Sequence, residues 1–210
     1  MNFSDLIKKV GELPCFGTSF LAAGESLSQI RLQLARWVRD GKVVRLHKGL
    51  YVLAEPYRKV KPEPFAIANA LKSPSYVSLQ SALSRHGVIP EFVPAVTSVT
   101  TGRPQTIDTP LGWFEYRHVS KGLFWGYERI ELAANQYAYL ARPEKAILDL
   151  VHLTGGGDDR AFLEELRLQN FDKLNSDILR EYAERAASGK LRRAAVILEE
   201  ILRTGEGIEL

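Results

Sequence analysis

Apolar residues recur at intervals of three and four through Phe3, Leu6, Ile7 and Val10, and again through Leu27, Ile30, Leu34 and Val38. Each set stacks along one side of a helix, and Trp37 widens the second stripe. Asp5 lies in the first turn of the first helix, where a carboxylate suits the helix dipole, and Gly11 and Pro14 close that helix. The segment from Thr18 to Gly24 reads as a short helix with a possible cap at its start and a terminating glycine. Ser26 is placed to cap the next helix, and Gly41 ends it by adopting a left-handed conformation without steric cost. The period then changes from helical to extended. Val43-Val44-Arg45-Leu46 and Leu50-Tyr51-Val52-Leu53 are β-prone runs, with His47-Lys48-Gly49 as the turn between them. Three helices followed by a hairpin predict a winged helix-turn-helix over residues 1–54.

Three prolines alternating with charges in Ala54–Pro64 resist both helix and central strand and predict a solvated linker over residues 55–64. Tyr57, Arg58, Lys59 and Lys61 could alternatively form an arm reaching phosphate or a minor groove. Residues 65–210 then predict a mixed α+β domain. Helices are expected over 64–71 and 78–87, the latter capped by Ser78 and stopped at Gly87. Strands are expected over 96–101, 112–119, 124–130 and 137–141, completing an antiparallel sheet. Pro143 starts a helix that runs to Val151. After Gly155-Gly156-Gly157, helices are expected around 158–169, 176–187 and 190–203.

Charge changes this picture in one place. The whole chain carries a formal net charge of +3. Between Ser26 and Leu53, however, Arg31, Arg36, Arg39, Lys42, Arg45 and Lys48 face Asp40 alone, a local surplus of five. Ser28, Gln29, Arg31, Gln33, Arg36 and Arg39 are residue types that hydrogen-bond base edges or phosphates. Lys42, Arg45, His47 and Lys48 extend the same chemistry to the hairpin. These ten residues are the candidate DNA-binding set, with double-stranded DNA as the expected partner. A basic amphipathic helix is often only a solvated face; the hairpin beside it favours DNA. Composition narrows the rest. The sequence shows no apolar run long enough to span a bilayer and no export signal, and Cys15 is the only cysteine. A cytoplasmic protein without membrane contact and without an intrachain disulfide is expected. The four histidines and one cysteine show no zinc-ligand spacing, and no cofactor is expected.

No catalytic constellation stands out. Gly155-Gly156-Gly157-Asp158-Asp159 lacks the Lys-Ser/Thr of a phosphate-binding loop. Glu144, Lys145 and Asp149 resemble a nuclease cluster, but one-turn spacing reads better as helix-start charge and surface pairing. His86 and His118 lie in unrelated segments. Trp113, Trp125, Tyr127, Tyr137 and Tyr139 could stack single-stranded bases, although aromatic residues of an alternating sheet more often pack in a core. Cys15 and Phe16 read as core.

The run from Trp37 to Tyr51, WVRDGKVVRLHKGLY, resembles the helix, glycine, hairpin and G-x-Y signature of the AbiEi-type antitoxins. So do PSYVSLQSALSRHGVIPE at 74–91, SVTTGRP at 98–104 and ARPEKAILDLVHL at 141–153. The resemblance covers about residues 20–155 and implies the antitoxin of a type IV toxin–antitoxin pair. It also implies a winged-helix repressor of its own operon at inverted repeats. The partner it implies is a nucleotidyltransferase-like toxin, countered through the C-terminal domain generally without a stable complex. Two other classes compete with this expectation. One is an interaction module whose α+β domain neutralises a partner directly, with the winged helix as a docking platform. The other is a nuclease using Glu144 and Lys145.

Overall fold

The computed structural model describes residues 1–22, 26–90 and 93–205; the expected stop at Gly24 lies outside them. The chain folds as mixed α+β around two hydrophobic cores. The first unit contains α1 (Phe3–Val10), β1 (Phe16–Gly17), α2 (Thr18–Leu21), α3 (Leu27–Arg39), β2 (Val43–His47) and β3 (Leu50–Leu53). Asn2 and Asp5 form a reciprocal capping box at the start of α1, satisfying two orphan N–H groups. Leu6, Val10, Leu21, Ile30, Leu34 and Trp37 close over Val43, Tyr51 and Leu53 to make the first core.

β1 was not apparent from the sequence, because two residues carry no period. It pairs antiparallel with β3, Phe16 opposite Tyr51 and Gly17 opposite Leu50, giving a three-stranded sheet in the order β1-β3-β2. The β2–β3 pairing is antiparallel and slips between Arg45 and His47. Successive residues of β3 point to opposite faces. Tyr51 and Leu53 enter the first core, whereas Leu50 and Val52 turn the other way and join the second. Leu46 does the same from β2. The uninterrupted apolar run Leu50–Leu53 therefore reflects a strand covered on both faces.

The second unit is built on a six-stranded sheet in the order β6-β7-β5-β4-β9-β8. Its strands are β4 (Ser75–Val77), β5 (Ala95–Thr100), β6 (Gln105–Thr109), β7 (Gly112–His118), β8 (Tyr127–Leu132) and β9 (Gln136–Ala141). The expected antiparallel sheet is a mixed one: β4–β5, β6–β7 and β8–β9 are antiparallel, whereas β4–β9 and β5–β7 are parallel. β4 and β6 were missed, and β4 is the strand that separates β5 from β9. Helix α4 (Pro64–Leu71) covers one face, where the Tyr116 hydroxyl donates to the Ala68 carbonyl at 2.6 Å. Helices α5 (Leu79–His86) and α6 (Pro143–Leu153) are on the other, and α7 (Arg160–Glu165), α8 (Ser176–Arg185) and α9 (Gly189–Thr204) form an outer layer on α6.

Residues 55–63 are not a free tether. Tyr57 packs edge-on against Phe3, and Lys59 pairs with Glu12 at 2.7 Å, both in the first unit. Further along, Gln136 of β9 accepts the Glu63 N–H and donates to the Lys61 carbonyl, each at 2.9 Å. The segment is strapped at both ends, while Glu55, Pro56, Lys59 and Lys61 remain exposed.

Two further expectations are overturned. Glu144, Lys145 and Asp149 are buried rather than surface pairs, because α6 lies under the sheet and the outer helices at once. Conversely, Trp113, Tyr137 and Tyr139 are exposed rather than core. Tyr137 and Tyr139 alternate with the buried Gln136, Ala138 and Leu140 along β9, the strand next to the edge strand β8. Arg129 lies 3.8 Å above the Tyr137 ring, and Tyr139 leans edge-on against Tyr127. Trp125 and Tyr127 are half-buried packing groups: Trp125 meets Tyr182 edge-on, and Tyr127 stacks on Tyr76.

Candidate nucleic-acid interface

Helix α3 buries Ile30, Leu34 and Trp37, which fixes the roll of every other side chain. At 3.6 residues per turn, Leu27, Arg31, Ala35 and Val38 form the stripe beside the hairpin. Ser28, Leu32 and Arg39 sit outermost, and Gln29, Gln33 and Arg36 lie on the flank away from the hairpin. The helix ends as expected: Gly41 takes φ +69°, while the Gly41 and Lys42 N–H groups bond back to Val38 and Trp37. Its start differs from expectation. Ser26 occupies the cap position, but its hydroxyl pairs with that of Ser28 at 2.7 Å and makes no capping bond.

The hairpin is held against this helix from below. The Gly49 carbonyl accepts the Thr18 N–H at 3.0 Å, tying the hairpin turn to the first residue of α2. Between α3 and the hairpin lies a cleft of about 910 Å³, into which Arg31 projects from the helix and Arg45 and Lys48 from the hairpin. Leu27, Ala35, Val38, Tyr51, Thr18 and Ser19 complete its lining. Arg45 is aimed partly by its own strand, the guanidinium donating to the His47 carbonyl at 3.4 Å. Among the described residues, none of Arg31, Arg36, Arg39, Arg45 and Lys48 joins an ion pair, and all five are exposed. Their charge is uncompensated and faces water, which suits a polyanion.

The structure thus unites Arg31, Arg45 and Lys48 and leaves Ser28 and Arg39 on the same outward side. Gln29 and Arg36 are exposed on the far flank of the helix. Gln33 is half-buried, with its Oε1 buried and without a hydrogen-bond partner among the described residues. His47 is half-buried at the end of β2. Lys42 lies apart from the cleft lining: its ammonium is 5.2 Å from the centre of the Phe3 ring. The apolar members of the cleft, and Thr18 and Ser19 from α2, were not among the expected site residues. Counting only polar side chains hid Leu27 and Ala35, which share Arg31's stripe at a spacing of four.

The cluster on α6 is structural. The Lys145 ammonium pairs with Asp149, whose other oxygen accepts the Tyr76 hydroxyl at 2.9 Å and the Ser78 hydroxyl at 2.8 Å. Ser78 therefore spends its hydroxyl on Asp149 instead of capping α5. Burial pushes the Asp149 carboxyl above the ordinary carboxylate range, against the opposing pull of Lys145 and the two hydroxyls. Burial likewise pushes the Tyr76 phenol far up, with Asp149 adding to it. Glu144 accepts the Asn175 N–H at 2.8 Å. Glu144 and Lys145 are 4% and 2% exposed. His86 and His118 bond the carbonyls of Ala141 and Gly102, 2.9 Å each. No group of three or more His, Cys, Asp or Glu among the described residues is placed to hold a metal ion. No described helix is long and apolar enough to cross a membrane.

No family model matches the chain, and no curated protein matches it. Among solved structures, the chain is similar to the Rv2827c protein of Mycobacterium tuberculosis. The two are 12% identical with a TM-score of 0.50, over 99% of this chain and 82% of the other. At that identity the likeness concerns the fold alone.

Proposed function

We propose that this chain is a sequence-specific double-stranded DNA-binding protein, with residues 1–54 acting as a winged helix-turn-helix. The observation that carries the reading is the convergence of Arg31, Arg45 and Lys48, free of ion pairs among the described residues, on one cleft between α3 and the hairpin. A helix and a hairpin offering cations to the same side suit a major groove and its flanking backbone. In this reading α3 is the recognition helix. Ser28 and Arg31 approach base edges; Arg39, Arg45 and Lys48 bind phosphates; Gln29 and Arg36 contact the strand on the far flank. Gln33, His47 and Lys42 support these residues more than they touch DNA.

The resemblance of residues 20–155 to the AbiEi-type antitoxins supports a more specific role. The chain then represses its own operon at inverted repeats and serves as the antitoxin of a type IV pair, in the cytoplasm. A nucleotidyltransferase-like toxin encoded alongside is its functional partner, countered through residues 65–210 without a stable complex.

The decisive measurement is affinity for the DNA upstream of the chain's own gene. Arg31→Ala should lose ~1–3 kcal/mol there and relax sequence preference. An affinity unchanged by Arg31→Ala would remove α3 from the interface. Co-expression with the neighbouring gene tests the antitoxin role: growth should be restored while affinity capture of this chain recovers no toxin. Recovery of a stable complex would favour direct neutralisation instead.

A further inference from the structure

The outward face of α3 is not wholly polar. Leu32 is 64% exposed and Leu27 45% exposed, and Ala35 is exposed as well. Seven large hydrophobic side chains stand exposed among the described residues, and three of them, Phe20, Leu27 and Leu32, fall within α2 and α3. Of this apolar surface, Leu27 and Ala35 line the cationic cleft itself. Leu27 and Ala35 flank Arg31 by one turn on either side, and Leu32 adjoins it on the outermost line.

We infer that Leu32, with Leu27 and Ala35, reads thymine C5-methyl groups in the major groove; the inference rests on the DNA-binding reading above. In that groove thymine is the base that offers an apolar methyl, and apolar side chains distinguish it by contact. One helical turn of α3 rises about 5.4 Å, between one and two base-pair steps of 3.4 Å. The target class is therefore a half-site in which the base pair facing Arg31 has thymines within about two base pairs. A second copy of this chain fits the same face poorly. Arg31, Arg36 and Arg39 surround Leu32 with only Asp40 to oppose them, so two copies would bring like charges together.

The test uses the full chain and two duplexes of the same sequence, the DNA upstream of its own gene. One duplex contains thymidine and the other deoxyuridine at every such position, so only the methyls differ chemically. Each methyl withdrawn from water is worth ~0.8 kcal/mol, or roughly four-fold in affinity, so loss of two such contacts should weaken binding of the uracil duplex about fifteen-fold. Leu32→Ala should weaken binding to the thymidine duplex and shrink the thymidine-to-uracil ratio. Any effect of uracil on duplex shape would persist in that variant, so the change in ratio isolates the contact. Leu32 is exposed, so Leu32→Ala should match the parent in thermal unfolding and in size-exclusion elution. Equal wild-type affinity for both duplexes would overturn the methyl readout while leaving DNA binding intact. A Leu32→Ala ratio equal to wild type would overturn the role of Leu32. A change in its oligomeric state, weakening both duplexes alike, would assign the face to a second copy. Binding to neither duplex would overturn the DNA-binding reading itself.

Discussion

Lys145 and Asp149, one helical turn apart on α6, form an ion pair in which each residue is 2% exposed. Two charges taken out of water are costly unless every remaining donor and acceptor is met. Here Ser78 and Tyr76 meet the second carboxylate oxygen, and the rings of Trp125 and Tyr76 lie 4.8 and 5.9 Å from the ammonium. The pair joins β4, α5 and α6 at the middle of the second unit.

Removing one partner should therefore cost more than removing both. Asp149→Ala is expected to destabilise by ~3–5 kcal/mol, because it leaves the buried ammonium unpaired. The double variant Lys145→Met with Asp149→Leu should cost clearly less than the two single changes added together. Urea unfolding of the three variants checks this, and additive losses would mean that the two charges do not depend on each other.

Two glycines with left-handed backbones should respond differently to the same substitution. At Gly41, with φ +69°, an added Cβ meets nothing within 4 Å, so Gly41→Ala pays only the conformational cost of ~1 kcal/mol. At Gly126, with φ +78°, it would lie 2.9 Å from Cγ of the buried Lys145, whose aliphatic stem has no room to retreat. Gly126→Ala should cost at least ~1–3 kcal/mol more than Gly41→Ala. Thermal unfolding of the two variants compares them directly.

The salt dependence of DNA binding should sort the cations. Arg45→Ala and Lys48→Ala should each reduce the slope of log affinity against log salt by about one. Lys42→Ala should leave the slope unchanged, since its ammonium lies over Phe3. A slope altered by Lys42→Ala as much as by Lys48→Ala would put Lys42 back at the interface. Titrations at several salt concentrations provide the measurement.

Much of this arrangement was legible in the sequence, and what was hidden has physical causes. The stripe Ile30, Leu34 and Trp37 set both the existence and the roll of α3, and Gly41 marked its end. The basic surplus on helix and hairpin was equally visible. Leu27 shared the apolar period yet is exposed, because it stands at the first turn, beyond the reach of the core. Lys42 looked like its cationic neighbours because sequence shows charge but not direction. The burial of Glu144, Lys145 and Asp149 could not be seen locally: their partners Tyr76, Ser78 and Asn175 lie far away in the chain. β1 and β4 are too short to show a period, and without β4 the parallel pairings cannot be foreseen.

Cys15 should be a slow thiol. Burial pushes its pKa to about 11, so at pH 8 roughly one thiol in a thousand is ionised. Aromatic disulfide reagents should label it quickly only after unfolding. The same shift has a stability consequence. The unfolded thiol ionises near its ordinary value of 9.0 and the folded one near 11, so the folded state holds the proton longer. Its contribution is fully present below pH 9 and is lost as pH rises through the interval to 11. Cys15→Ala should flatten that part of the stability profile; labelling of the native protein as fast as a free thiol would contradict the burial.

The hairpin that offers Arg45 and Lys48 to the cleft turns Leu46 and Val52, 4% and 0% exposed, into the core of the second unit. Its two faces answer to two different sets of neighbours. A chimera joining residues 1–54 to an unrelated C-terminal half would therefore inherit a strand with one apolar face unmatched, and would be expected to need new residues at 46, 50 and 52 before it folds. The two halves of this chain are not interchangeable parts: whatever drift alters one side of that hairpin must be answered on the other, so the cationic cleft and the second unit are bound to change together.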